Sequence, residues 1–144
     1  MNERFYHWSF IDAIKPIEQE SDFCGPASLE IAFRALGKTI TQQEIARVVP
    51  DIEKGMSWEE MVGQATEHGF LVGIYKNSEY NSLLNAYDRS GCPIIVGWDS
   101  DRDGEAGAHF SVVKYISREM ISLADPQYGD LITYTKDEFI PKWF

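Results

Sequence analysis

Apolar residues at Leu29, Ala32, Phe33 and Leu36 follow the i, i+3, i+4, i+7 spacing of a helix face, and Gly37 supplies a stop. Thr41 to Glu44 reads as a capping box opening a short helix that ends before Pro50. Ser57 to Glu60 repeats that signal for a third helix, closed by Gly69 after His68. The period then changes. Phe70 to Tyr75 is a short strand candidate, Ser78 to Arg89 a helix, and Gly91-Cys92-Pro93 a break. Pro93 to Trp98 reads as a buried strand, and His109 to Ile116 and Met120 to Ala124 as two strands joined by Ser117-Arg118-Glu119. Asp125 to Gly129 is a turn, Asp130 to Tyr134 another strand, and Lys136 to Phe144 a short helix returning Phe139 and Trp143 to the core. Helices followed by a mostly antiparallel sheet make an α+β chain. No repeat, linker or low-complexity tract divides it, so residues 1–144 are expected to form one domain.

Composition narrows the classes. With 44% hydrophobic and 13% aromatic residues the chain can bury a core. A net charge of −10 disfavours nucleic-acid binding, which depends on a basic surface. No apolar run approaches the length of a membrane span. Met1 to Lys15 mixes charged and aromatic residues where a secretory signal needs an apolar segment. The expectation is a cytoplasmic protein, or one whose signal has been removed. Two cysteines, Cys24 and Cys92, are too few for a disulfide framework and are read as thiols.

Cys24 precedes Gly25-Pro26, and proline belongs in the first turn of a helix. The sulfur therefore falls at a helix N-terminus, where unpaired N–H groups and the macrodipole favour a thiolate. An isolated cysteine also commonly packs as a small hydrophobe, and local context leaves both readings open. A thiolate nucleophile needs a base. His68 stands at a helix end and His7 among aromatics, so both read as structural, whereas His109 opens a strand after Gly107-Ala108 and can face a cleft. If the following hairpin pairs Ile116 with Met120, Ser111 faces Asp125 and His109 lies diagonal to it on the same face. A one-residue slip would separate them. Asp125 can orient the imidazole, begin the Asp-Pro turn, or do both.

The run Gln19-Glu20-Ser21-Asp22-Phe23-Cys24-Gly25-Pro26-Ala27-Ser28-Leu29 resembles the nucleophile motif of the peptidases that cleave double-glycine leaders from bacteriocin precursors, and still more their free-standing relatives. The likeness continues through Leu36-Gly37, Gly55-Met56-Ser57-Trp58, Gly91 to Val96, His109 to Val113, and Leu123 to Gly129. It implies a papain-like fold, a peptide or protein substrate, no required cofactor, and a Cys–His–Asp triad at Cys24, His109 and Asp125. It also implies a glutamine donor to the oxyanion. Gln19 is the candidate, although it stands five residues before Cys24 where the family places six, the sixth being Glu18. A silent peptide-binding module, or an acyl transferase using the same thioester, remains an alternative.

One further signal lies in Asp99-Ser100-Asp101-Arg102-Asp103-Gly104. Asp99, Asp101 and Asp103 have the spacing of a calcium loop, although Phe110 holds the twelfth position, where a bidentate acid is expected. A solvated acidic loop would read the same.

Overall fold

The computed structural model describes residues 11–104 and 107–144, so His7 lies outside the described residues. The helical half comprises α1 (Cys24–Ala35), α2 (Gln42–Ala46), α3 (Trp58–Glu67) and α4 (Tyr80–Ser90), with a 3₁₀ turn at Ile52–Lys54. Four antiparallel strands follow: β1 (Ile95–Ser100), β2 (Gly107–Ile116), β3 (Met120–Asp125) and β4 (Asp130–Thr135), in the spatial order β1-β2-β3-β4. A short helix, α5 (Lys136–Phe139), and a 3₁₀ turn at Ile140–Lys142 close the chain.

The expected caps operate with different completeness. Ser57 and Glu60 form a reciprocal box at α3, while at α2 Thr41 accepts from the Glu44 N–H. Leu29 and Phe33 on α1 pack with Ile45, Met56 and Met61 in one apolar cluster. Ile31 of α1 meets Val112 and Ala124 on the sheet. A third cluster joins Tyr80, Leu83 and Tyr87 of α4 to Trp98, Val113, Leu123 and Phe139. Leu36, the last residue of the predicted stripe, instead caps α1 and is largely exposed.

Three element assignments need correction. Phe70 to Tyr75 forms no strand: Phe70 stacks on Phe33, but Leu71 is fully exposed and no neighbouring strand supplies a ladder. β1 starts two residues after Pro93 and runs to Ser100, because Asp99 and Ser100 pair with Ala108 and Gly107 in the region read as a loop. The tail divides at Pro141, and Trp143 bridges to Trp98 at the edge of β1.

The register of β2 and β3 governs everything below. At the turn Ile116 pairs with Ile121, not Met120. Carried along unbroken, that register would set Asp125 beside Val112, on the face opposite to His109. A bulge between Val113 and Tyr115 absorbs the error, and the ladder resumes as Val113↔Leu123 and Val112↔Ala124. Lys114, the extra residue, is anchored by donating from Nζ to the carbonyls of Ile11 (2.5 Å) and Ile14 (2.8 Å). The Tyr87 hydroxyl donates to its carbonyl at 2.9 Å.

Candidate functional site

Cys24 is the first residue of α1 and half-buried. The first α-helical bond of α1 runs from the Ala27 N–H to the Phe23 carbonyl, and Pro26 has no N–H. Helical geometry therefore leaves the N–H groups of Cys24 and Gly25 without intrahelical partners beside the sulfur. A Cβ on Gly25 would come within 2.9 Å of the Met56 Cβ, so glycine lets the Met56 segment close against the start of the helix.

His109 enters from β2, buried to 8% exposure, with Trp98 edge-on at 5.6 Å between ring centroids. Its Nε2 lies 2.5 Å from Asp125 Oδ1, and Cys24 stands near enough to favour the charged form of the ring. Because Nε2 is engaged by the carboxylate, Nδ1 is the nitrogen left to face the thiol. Burial alone pushes this imidazole down. Asp125 and Cys24 more than reverse that, and it is pushed up to about 9.

Asp125, at the end of β3, has 0% exposure. Its Oδ1 accepts from Ser111 Oγ at 3.2 Å and from the Gln127 N–H at 3.1 Å, as well as from His109. The Gln127 bond makes Asp125 a turn initiator too, so its two roles coincide. Oδ2 accepts from Arg102 at 2.7 Å. Burial favours the neutral acid, but His109, Arg102 and the Gln127 amide together hold the carboxyl below its usual range. Ser111 is itself fixed by the Trp98 Nε1–H at 3.0 Å.

Gln19, Cys24 and His109 line one cleft of about 290 Å³, together with Glu53 to Gly55, Gly107 and Ala108. Glu18 is exposed and does not line it. Between Gln19 and Cys24 the chain makes a left-handed step at Ser21 (φ 42°), a local adjustment that accompanies the five-residue spacing. Gln19 Nε2 donates to the Ser21 carbonyl at 2.6 Å, leaving its second hydrogen uncommitted, while Oε1 is buried without a partner. The Gln19 backbone is held by donation to the Pro126 carbonyl at 2.7 Å. The buried Gln42 amide straps both flanks, donating to the Glu18 carbonyl and accepting from the Glu20 N–H, each at 2.9 Å.

The other candidates lie elsewhere. His68 caps α3 and packs edge-on against Phe33. Cys92 is exposed. Among the described residues no group of three or more His, Cys, Asp or Glu side chains could hold a metal ion. Asp99 belongs to β1 and Asp101 pairs with Lys142 at 2.8 Å, so Asp99, Asp101 and Asp103 do not converge as the calcium spacing suggested. Arg102 and Gln42 are contributors the sequence reading missed, whereas it placed Ser111 opposite Asp125 without giving it a role. Arg102 left one trace there, as the lone cation within the acidic run.

Residues 14–144 match the sequence profile of the Peptidase C39 family. The chain belongs to that family. Its fold superposes on the crystal structure of the peptidase domain of Streptococcus ComA, a bi-functional ABC transporter involved in quorum sensing, with a TM-score of 0.72 and 20% identity over 90% of this chain and 92% of that one. An uncharacterized protein of Methanothermobacter thermautotrophicus is 26% identical over 118 residues, 82% of this chain and 75% of its own. The papain-like α+β fold is thus shared across the C39 family and this chain. Among the described residues of this C39 member no helix is long and apolar enough to cross a membrane.

Proposed function

We propose that this C39 family member is a cysteine peptidase in which Cys24 is the nucleophile, His109 its base and acid, and Asp125 the group that orients His109. The observation that carries this reading is the continuous chain from the Asp125 carboxylate through His109 to a thiol at a helix N-terminus, opening on a cleft that also holds Gln19.

The cycle follows from those positions. His109 Nδ1 takes the thiol proton, and the Cys24 thiolate attacks the scissile carbonyl carbon, forming a C–S bond and an oxyanion. The Cys24 N–H and the uncommitted Gln19 Nε2–H stabilise that oxyanion. As the C–N bond breaks, the imidazolium protonates the departing amine. A water molecule, deprotonated by His109, then attacks the thioester, releasing a carboxylate and restoring the thiol.

Two outcomes are expected. Gln19→Ala should lower kcat by roughly 10²–10³-fold, as loss of one oxyanion donor does, with the rate of Cys24 alkylation unchanged. An unchanged kcat would remove Gln19 from the mechanism. Activity should also fall as pH rises through about 9, where His109 loses the proton it gives to the leaving amine. Stability should weaken over the same range: the raised imidazole contributes in full below its ordinary 6.5, and that contribution is lost as pH passes about 9. A pH–rate profile flat to pH 10 would contradict the assignment of His109.

Peptides are the substrates to test. The family resemblance puts Gly-Gly sequences first in a diverse library, profiled with wild type, Cys24→Ala and His109→Ala. Hydrolysis that survives both substitutions would refute the reading.

A further inference from the structure

The proposed catalytic carboxylate has an unusual neighbour across its own sheet. Asp125 pairs directly with Asp130 in the β3–β4 ladder, an arrangement of like charges that is destabilising on its own. Arg102 lies between them. Its guanidinium forks onto Asp130, with NH1 to Oδ1 at 2.8 Å and NH2 to Oδ2 at 2.7 Å. The same NH1 reaches Asp125 Oδ2 at 2.7 Å, and the guanidinium Cζ lies over the Tyr128 ring, 4.7 Å from its centroid. The fork and the ring hold the guanidinium so that NH1 is presented to Asp125 with little freedom.

The two oxygens of Asp125 are supplied unequally. Oδ1 receives His109, Ser111 and the Gln127 N–H, whereas Arg102 is the hydrogen-bond donor described for Oδ2. We propose that Arg102 is a positioning residue for the reaction: clamped by Asp130 and Tyr128, it holds Asp125 in its ionised form, so that Asp125 can orient and charge His109. This rests on the peptidase reading above and extends it to a residue that never reaches the cleft lining. The acidic run whose spacing suggested calcium thereby gains a different task, since it delivers a cation to the back of the site.

Among the described residues, the titratable groups around this cluster include Cys24 on α1, which acts through His109 on β2, Asp130 and Tyr134 on β4, and the Asp101–Lys142 pair. Removing Arg102 leaves Oδ2 of a fully buried carboxylate without its cation, which favours the protonated acid. That acid no longer supports an imidazolium, so the effect concentrates at low pH.

The test is the pH dependence of Cys24 alkylation by a haloacetamide, read beside kcat/KM, in Arg102→Met and Arg102→Lys. Arg102→Met should move the acid edge of both profiles upward by about one pH unit, which lowers kcat by about tenfold on the acid limb, with KM little changed. Arg102→Lys, which keeps the charge and loses the fork, should return the edge to its wild-type position. Coincident acid edges in wild type and Arg102→Met would overturn the proposal. If Arg102→Met does not fold, Arg102→Lys decides the matter when combined with Asp130→Asn. Without the Asp130 carboxylate to hold it, the substituted ammonium should lose the restored edge, and an edge that stays in place would refute the clamp. Hydrolysis surviving in Cys24→Ala would instead strike at the peptidase reading, independently of Arg102.

Discussion

Replacing Cys24 by alanine should bring peptide hydrolysis down to the uncatalysed background, a fall on the order of 10⁶-fold in kcat, because no other group on the cleft can form the thioester. The fold should survive. Cys24 is half-buried at the start of α1, and α1 keeps its apolar contacts through Leu29, Ile31 and Phe33. Melting temperatures should therefore nearly coincide while turnover disappears. A companion measurement separates reactivity from access. Cys92 is the more exposed thiol and donates only to the Ser90 carbonyl, at 3.4 Å. Exposure alone would make Cys92 the faster target of a haloacetamide. The helix N-terminus and His109 should reverse that order at neutral pH, with Cys24 labelled first. The imidazole gives a third readout: without the sulfur it loses one of the influences that raise it, so His109 should titrate lower in Cys24→Ala than in wild type. Equal labelling of both cysteines, with hydrolysis intact in the alanine variant, would end the assignment.

How much of this could be read from the residues alone is clearest in the β2–β3 hairpin. Pairing Ile116 with Met120 leads to Ser111 beside Asp125, and the Ser111–Asp125 contact is present, yet Ile116 pairs with Ile121. The arithmetic arrives because a bulge at Lys114 offsets a one-residue difference at the turn. That bulge is fixed by the carbonyls of Ile11 and Ile14, about a hundred positions away, and by Tyr87 on α4. A strand pattern carries period but no such long-range anchor. The helices were more legible because caps and glycine stops are local: Ser57 with Glu60 and Gly37 act within a few residues of themselves. Phe70 to Tyr75 misleads for the opposite reason, since it has strand composition without a partner strand. Cys24 and His109 stand out in the sequence because a thiol before Gly-Pro and an imidazole at a strand mouth are uncommon contexts, and both line one cleft. Arg102 was hidden because its meaning depends on Asp125 and Asp130 facing each other, which only the ladder establishes.

The second large effect is expected at Asp125. Asp125→Asn should reduce kcat by up to about 10⁴-fold, the cost of losing the carboxylate that fixes the imidazole tautomer and stabilises its charged form. It should also cost stability. The side chain is fully buried, and the substitution leaves Arg102, a cation with 17% side-chain exposure, facing a neutral amide. Breaking a buried ion pair from one side typically costs about 3–5 kcal/mol. Arg102 keeps its fork on Asp130, so the loss should fall toward the lower end of that range. The pH dependence fixes the mechanism of the loss. The Asp125 carboxyl lies below its ordinary 3.8, so the stability it contributes is present above that value and disappears as pH falls through the lower, native one. Urea unfolding should therefore separate wild type from Asp125→Asn at neutral pH and bring them together in acid. A gap of constant size down to the acid transition would mean that the aspartate acts through packing rather than charge. His109 should follow: with the carboxylate gone, burial is no longer outweighed, and its titration should move down from about 9 toward or below 6.5. A histidine still titrating near 9 in Asp125→Asn would show that the orienting carboxylate had been misassigned.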